Sequence, residues 1–223
     1  MEVTGIQREH LSQAKAILAS AGLVPESTGP AVRSVVACKG TVCRHGRCDT
    51  FGPAQRLEEE YGGRPLPHKF KIAVAGCPNN CAWVQLNDLG FLAHCYPLLD
   101  PGECTNCGAC AEVCREGAIE MRDEVLHFVA DRCIGCGDCI AACPQDAVGI
   151  AGEGLSLFLG GRAGRAIRIG TPVPGLVAEA EVPEITDFII TFFTDNTCKG
   201  ERFGEMMDRI GVETVLHGIG LDR

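Results

Sequence analysis

The pattern of apolar and polar positions predicts a chain that mixes helices and strands. Apolar residues recur at helical spacing over residues 9–21, and Gly22 suits the left-handed position just past a helix end. Residues 26–30 are rich in turn formers. The β-branched run 33–37 is typical of a short strand, and residues 54–61 are expected to form a second helix.

One stretch alternates strictly between polar and apolar residues, which is the pattern of a half-buried strand. Phe70, Ile72 and Val74 share one face of this predicted strand. Lys69 and Lys71 share the other face. The two lysines are therefore expected side by side, either as solvated surface or as part of a site.

The C-terminal third repeats the mixture of elements. Residues 155–159 are expected to form a strand that leads into the glycine-rich loop GGRAGR at 160–165. Helices are predicted over 184–196 and 202–210, and Gly211 closes the second one.

Length and charge narrow the function classes. A chain of 223 residues fits one large domain or a domain carrying a smaller insert. The formal charge of −9 argues against nucleic acid or an anionic membrane as partner, because such surfaces need excess Lys and Arg. No basic start leads into an apolar run, and no segment approaches the roughly 20 apolar residues of a membrane span. We therefore expect a cytoplasmic protein, in which cysteines stay reduced and bind metal.

Eight of the fifteen cysteines lie in an internal repeat between Pro97 and Ile150. ECTNCGACAEVC and RCIGCGDCIAAC share the spacing CxxCxxCxxxC, which is typical of bacterial ferredoxins with two 4Fe-4S clusters. The fourth cysteine of each run then crosses to the other cluster. This rule predicts a first set, Cys104, Cys107, Cys110 and Cys143, and a second set, Cys133, Cys136, Cys139 and Cys114.

Zinc is the alternative metal for such cysteines. A zinc ion takes four ligands, which does not explain why both runs contain a further cysteine at the same CxxC spacing. Arg115 stands where proline normally follows the fourth cysteine, whereas Pro144 follows it in the second run. This departure removes no ligand.

Another constellation joins Cys38 and Cys43 in ACKGTVC with Cys77 and Cys81 in AGCPNNC. We call these four residues the third set. Two loop cysteines followed about thirty residues later by a CxxxC pair can hold a 4Fe-4S cluster. Their spacing alone also permits zinc. His45 and His68 are interpreted as polar surface.

At these residues the sequence resembles the siroheme-dependent nitrite and sulfite reductase family. The resemblance runs over VRSVVACKGTVCRHGRCDT, PHKFKIAVAGCPNNCAWVQLNDLGF, LFLGGRAGR and GERFGEMMDRIG, most of residues 32–215 outside the repeat. The inserted ferredoxin segment further resembles dissimilatory sulfite reductase subunits and their small archaeal and bacterial relatives. The resemblance implies an α+β fold, a siroheme reductase half domain interrupted by a bacterial-type ferredoxin domain.

The resemblance also implies a division into domains. Residues 1–30 match the remnant of a ferredoxin-like half domain, of which the helix is kept. Residues 31–96 and 151–218 match the siroheme and 4Fe-4S reductase domain, and residues 97–150 match the two-cluster ferredoxin insert.

Roles for individual residues follow from the same resemblance. The third set would hold a third 4Fe-4S cluster, and the Cys81 sulfur would also ligate the siroheme iron. The family usually has one more residue between its first two cysteines than the KGTV of this chain, and Cys48 is a nearby alternative ligand. Arg162 and Arg165 match the region beside the siroheme carboxylates, although solvated arginines are the plain alternative.

Basic side chains grip the anionic substrate in the family, and Arg33, Lys69 and Lys71 match three of them. Lysines on one strand face can supply charge, hydrogen bonds and protons to sulfite or nitrite. In two-half enzymes these residues face the cluster of the opposite half. A homodimer is therefore expected, with Lys69 and Lys71 of one subunit facing the cluster of the other.

The sequence thus predicts an oxidoreductase that reduces sulfite, or alternatively nitrite, with electrons from a redox donor protein passing through the ferredoxin segment. The alternative is a non-catalytic electron-transfer subunit that keeps three clusters and lacks siroheme. The arginine expected from an upstream half domain has no counterpart, which favours this alternative. A zinc-loaded interaction module is a third interpretation. Cys95 and Cys198, which belong to no motif, are expected to be buried thiols.

Overall fold

The computed structural model describes residues 5–23 and 28–221, which form a mixed sheet flanked by helices. The strands are β1 (Val36–Ala37), β2 (Ile72–Ala75), β3 (Leu89–Leu99), β4 (Ile119–Arg122), β5 (Val125–Phe128), β6 (Val148–Leu159) and β7 (Thr171–Val177). The helices are α1 (Leu11–Ser20), α2 (Phe51–Tyr61), α3 (Ala109–Val113), α4 (Asp138–Ala142), α5 (Val182–Asn196), α6 (Phe203–Ile210) and α7 (Val212–Gly218). Of the predicted turn at 26–30, only 28–30 lies within the described residues.

Five strands form the main sheet in the order β1-β2-β3-β6-β7. β1, β2 and β3 are parallel, whereas β6 is antiparallel to both β3 and β7. β4 and β5 form a separate antiparallel pair within the cysteine-rich repeat. This architecture confirms the predicted mixture of helices and strands.

β3 and β6 form the longest strand pair of the fold. Leu89 lies opposite Leu159 at one end, and Leu99 lies opposite Val148 at the other. Both strands run through the predicted boundaries of the insert 97–150. The division into a reductase domain and an insert stays a prediction. The two parts share one strand pair, whose register shifts between Tyr96 and Pro97.

The main core fills the space between one face of the sheet and helices α2, α5, α6 and α7. The rings of Phe70, Phe193 and Phe203 meet there with centroids 5.5 to 5.7 Å apart. The opposite face carries small side chains, among them Ala73 and Ala75, under a short apolar loop. β2 is therefore buried on both faces, as is typical of a central parallel strand.

Burial on both faces explains one difference from the sequence prediction. The alternating stretch predicted a strand from Lys69 onward, but β2 begins only at Ile72. Phe70 is buried as expected, while Lys69 and Lys71 lie in the connection that enters the strand. The lysines thus mark the beginning of β2 rather than its solvent face.

The predicted helices are present as α1, α2, α5 and α6, and Gly22 and Gly211 take the positive φ values expected at helix ends, 73° and 92°. α7 was not predicted, because seven residues carry too short a periodic pattern. Within residues 5–23 and 28–221, no helix combines the length and apolar character of a membrane span.

A buried ion pair ties three elements together at the beginning of β2 and β3. The Arg202 guanidinium donates to both carboxylate oxygens of Asp88, at 2.6 and 3.3 Å. The Lys71 backbone N–H donates to the same carboxylate at 2.9 Å. The side chains of Asp88 and Arg202 are only 1% and 7% exposed. Such a pair is costly to break, because the remaining charge is left buried without its partner.

Replacing Asp88 by asparagine should lower the free energy of unfolding by roughly 3–5 kcal/mol, since Arg202 then keeps an uncompensated buried charge. Anaerobic urea denaturation measures this change. The matched control is Arg64→Gln, because Arg64 pairs with Asp187 on the surface at 3.6 Å. If Arg64→Gln lowered the free energy of unfolding as much as Asp88→Asn does, the special cost of breaking the buried pair would be contradicted.

Candidate functional site

Two cavities in the cysteine-rich repeat are each lined by four cysteines. One cavity of about 290 Å³, including its opening, is lined by the first set: Cys104, Cys107, Cys110 and Cys143. The other, of about 340 Å³, is lined by the second set: Cys114, Cys133, Cys136 and Cys139. The structure therefore groups the eight cysteines as the crossing rule predicts, with one cysteine of each set supplied by the other repeat.

The backbone around these cavities suits iron–sulfur ligation. α3 and α4 are short helices that each begin after a left-handed glycine, Gly108 with φ of 80° and Gly137 with φ of 68°. Burial raises the pKa of Cys139 to about 12, and it raises the pKa of Cys110 as well. A thiol in this environment keeps its proton until a metal ion displaces that proton. Grouped cysteines around a cavity, most of them at least partly buried, fit the predicted cluster ligands.

The third set is assembled by two loops that follow parallel strands β1 and β2. The Gly76 N–H donates to Cys38 Sγ at 3.2 Å. A Cβ added to Gly76 would lie 2.9 Å from the Gly40 α-carbon, so the loops approach as closely as glycine permits. Cys38 and Cys43 both add to the raised pKa of Cys77, whose main cause is burial. Three cysteines of the set are thus brought together.

The fourth member, Cys81, is exposed four residues beyond Cys77. Cys48, the alternative ligand, packs against the main core, and burial raises its pKa to about 12. The charges of Cys38 and Cys77 also raise the pKa of Cys48, so the structure places Cys48 beside two members of the third set, whereas Cys81 is the exposed thiol. Within the described ranges, no three His, Cys, Asp or Glu side chains converge as ligands of one metal ion do, whereas eight cysteines surround cavities.

The predicted anion-binding residues Arg33, Lys69 and Lys71 lie close to Arg202, and we call these four residues the basic patch. Burial lowers the pKa of Lys69, and the charges of Arg202, Lys71 and Arg33 lower it further. The structure thus brings the three predicted residues together and adds Arg202, which was not singled out from the sequence. Its signal was a charged residue at the start of an apolar helix in GERFGEMM.

The basic patch lies at the opposite end of β2 from the third set. Lys71 precedes β2 and Cys77 follows it, six residues further along the chain. An extended strand rises about 3.3 Å per residue, so roughly 20 Å separate the two backbone positions. A single chain therefore does not bring its lysines to its own Cys77.

The glycine-rich loop packs against the segment that follows Cys81. A Cβ on Gly161 would lie 2.2 Å from the Gln85 carbonyl oxygen, so only glycine fits there. Arg162 forms an ion pair with Glu205, whereas Arg165 is exposed. Of the two predicted arginines, Arg165 therefore has the freer position for a ligand carboxylate.

Three residues outside the predicted sites have definite environments. Arg168, not singled out from the sequence, binds the Asp208 carboxylate at 2.7 Å. Cys95 is buried as predicted, but the same prediction is wrong for Cys198, which is exposed after the end of α5. A position next to a helix end, rather than in a strand, explains the difference.

The family model for the nitrite and sulphite reductase 4Fe-4S domain matches residues 28–222. The chain belongs to this family. The predicted resemblance is thereby confirmed, and with it the family membership that the cysteine and lysine motifs indicated.

Curated members of the family include two proteins of Methanocaldococcus jannaschii. The coenzyme F420-dependent sulfite reductase is 39% identical over 201 residues, which cover 89% of this chain and 32% of the relative. An uncharacterised protein is 33% identical over 214 residues, which cover 96% of this chain and 75% of the relative. The chain thus spans about a third of the length of the named reductase.

Solved structures share the fold at lower identity. Dissimilatory sulfite reductase I superposes with a TM-score of 0.77 and 22% identity, covering 98% of this chain and 59% of that one. The NirA protein of Mycobacterium tuberculosis gives a TM-score of 0.62 and 17% identity, covering 95% and 31%. These similarities confirm the predicted fold class.

Replacing Cys143 by alanine should remove the same iron–sulfur signal as replacing Cys107, because both line the first cavity. Each variant should lose about four irons per chain. The measurement is the electron paramagnetic resonance (EPR) spectrum of the reduced protein together with its iron content.

The control for the crossing of the fourth cysteine to the other set is Cys114→Ala, compared with Cys136→Ala, since both residues line the second cavity. Loss of the Cys136-dependent signal in Cys143→Ala would contradict the crossed ligand sets.

Proposed function

We propose that this protein is an iron–sulfur oxidoreductase that reduces sulfite, or alternatively nitrite, at a siroheme coupled to a 4Fe-4S cluster. Electrons from a cytoplasmic redox donor protein reach that centre through two clusters held by the first and second sets. The observation that carries the proposal is the ordered placement of three cysteine sets along one strand of the family's fold.

β3 gives this order directly. Leu92 pairs with Ala75, two residues before Cys77 of the third set. Cys95 forms a bridge with Cys136 of the second set, and Leu99 lines the cavity of the first set. Steps of three and four residues along an extended strand are about 10 and 13 Å. Such spacing supports a relay of electrons from the first set through the second to the third.

The second and third sets also adjoin one cavity. Cys136 and Cys77 both line a space of about 400 Å³ at the junction of the repeat with the main sheet. No other cluster site needs to be interposed between them, which supports direct electron transfer.

Cys81 and Arg165 are the residues proposed to hold siroheme. Siroheme supplies an iron at which the anion can be reduced when it is bound. The exposed Cys81 thiol would hold that iron beside the cluster of the third set. Arg165 is exposed on the loop packed against Gln85, where it can neutralise a carboxylate.

Arg33, Lys69 and Lys71 are proposed to bind the anion and deliver protons to it. The pKa of the Lys69 ammonium is lowered and therefore lies closer to neutral pH, which favours proton donation. Because the patch lies about 20 Å along β2 from Cys77, these residues serve a second subunit. We therefore propose a homodimer in which the basic patch of one chain faces the third set of the other.

The second candidate function is an electron-transfer subunit without siroheme. It is favoured by the same separation of the basic patch from the third set, which leaves no complete anion site among the residues that the structure describes in one chain. Extraction of tetrapyrrole from the purified protein distinguishes the two candidate functions. An extracted tetrapyrrole supports the reductase, and its absence supports the carrier.

The double variant Lys69→Met, Lys71→Met should lower kcat/KM for sulfite by about tenfold or more, because hydrogen bonds from charged groups to the anion are lost. Activity is measured anaerobically with a reduced viologen dye, with nitrite tested in parallel. An undiminished kcat/KM for both anions would contradict a role of Lys69 and Lys71 in binding the anion.

Co-expression of this double variant with Cys81→Ala tests the dimer. Neither chain should be active alone, but a mixed dimer has one intact site built from both chains. Random pairing should restore about a quarter of the wild-type activity. No restored activity in isolated mixed dimers would mean that each chain serves its own site.

A further inference from the structure

Arg47 connects the loops that carry the second and third cysteine sets. Its backbone N–H donates to the Gly76 carbonyl oxygen at 2.7 Å, immediately before Cys77. Its side-chain Nε donates to the Cys136 carbonyl oxygen at 2.5 Å. One residue therefore joins Cys136 of the second set to the residue immediately before Cys77 of the third set.

The guanidinium is fixed by a second hydrogen bond. Arg47 Nη2 donates to Asp138 Oδ1 at 2.5 Å, and the two side chains are 16% and 25% exposed. His45 Nδ1 lies 3.6 Å from the same oxygen. The planar fork of arginine makes both contacts at once, which a lysine ammonium does not reproduce in the same geometry.

The Cys136 loop is held between Arg47 and β3. Gly137 has φ of 68°, and a Cβ there would lie 3.1 Å from Arg47 Nε and 3.2 Å from Cys95 Cβ. On the strand side, the Cys95 N–H donates to the Gly135 carbonyl oxygen at 2.7 Å. The loop is thus held from two directions, and on the Arg47 side the same residue also binds Gly76, next to Cys77.

We propose that Arg47 is a positioning residue for electron transfer between the clusters of the second and third sets. It fixes the Cys136 loop relative to Cys77, and its charge raises the reduction potential of the second-set cluster. This inference rests on the proposed function, because it requires that both sets hold clusters.

The charge argument has a defined sign. A positive group close to an iron–sulfur cluster favours the reduced form, which carries one more electron, so removing it lowers the potential. Asp138 lies against the same guanidinium and acts in the opposite direction. A merely structural role would move the potential in the same direction whichever partner is removed.

The experiment is an EPR-monitored redox titration of the anaerobically purified protein, with iron content measured on each sample. Arg47→Gln should lower the potential of the second-set cluster, and Asp138→Asn should raise it. A tenfold change in the equilibrium constant for reduction corresponds to about 59 mV for this one-electron couple.

Arg47→Lys separates charge from geometry. In this variant the reduction potential of the second-set cluster should stay near the wild-type value. Reduction of the third-set cluster, measured by rapid freezing and EPR, should become slower. The matched control is Arg122→Gln, because Arg122 pairs with Glu120 on the β4–β5 hairpin. The control should leave both the potential and the rate unchanged.

Equal potentials and rates in Arg47→Gln and Arg122→Gln, with iron at wild-type levels, would overturn this inference alone. Shifts of the same sign in Arg47→Gln and Asp138→Asn would overturn the electrostatic role. Wild-type protein without clusters at the second and third sets would overturn the inference together with the proposed function. The opposite shifts, combined with a slower Arg47→Lys, would support it.

Discussion

The pairing of β3 with β6 is the constraint on which the candidate site depends. This ladder runs from Leu89 to Leu99 and joins the main sheet to the cysteine-rich repeat without a flexible connection. Cys95 on β3 contacts the Cys136 loop directly, through the hydrogen bond from its N–H to Gly135. A slip of one residue would turn every side chain of β3 to the other face and displace the repeat. The distances between the cysteine sets are therefore set by the backbone of the sheet.

The same sheet separates two kinds of chemistry. Thiols gather where β1 and β2 end, and cationic side chains gather where β2 begins, around the buried Asp88–Arg202 pair. In the proposed homodimer, this separation would make a complete anion site depend on a second subunit. The proposal thus links the oligomeric state to the reduction of an anion.

Local patterns in the sequence predicted the features that depend on local spacing. The CxxCxxCxxxC runs were sufficient to group the eight cysteines, because the crossing rule follows from their repeat. Contacts between distant residues could not be predicted in this way. Arg47 meets Cys136 across 89 positions, and Arg202 meets Asp88 across 114. The beginning of β2 was also misplaced, because alternation at Lys69 continued a pattern that burial on both faces interrupts.

The content of acid-labile sulfide in the anaerobically purified protein shows how many cysteine sets hold clusters, because siroheme contains no such sulfide and zinc brings none. Three 4Fe-4S clusters predict about twelve sulfides per chain. About eight would show that the third set holds no cluster and would contradict a reductase centre at Cys77 and Cys81. A value near zero would contradict the iron–sulfur account as a whole.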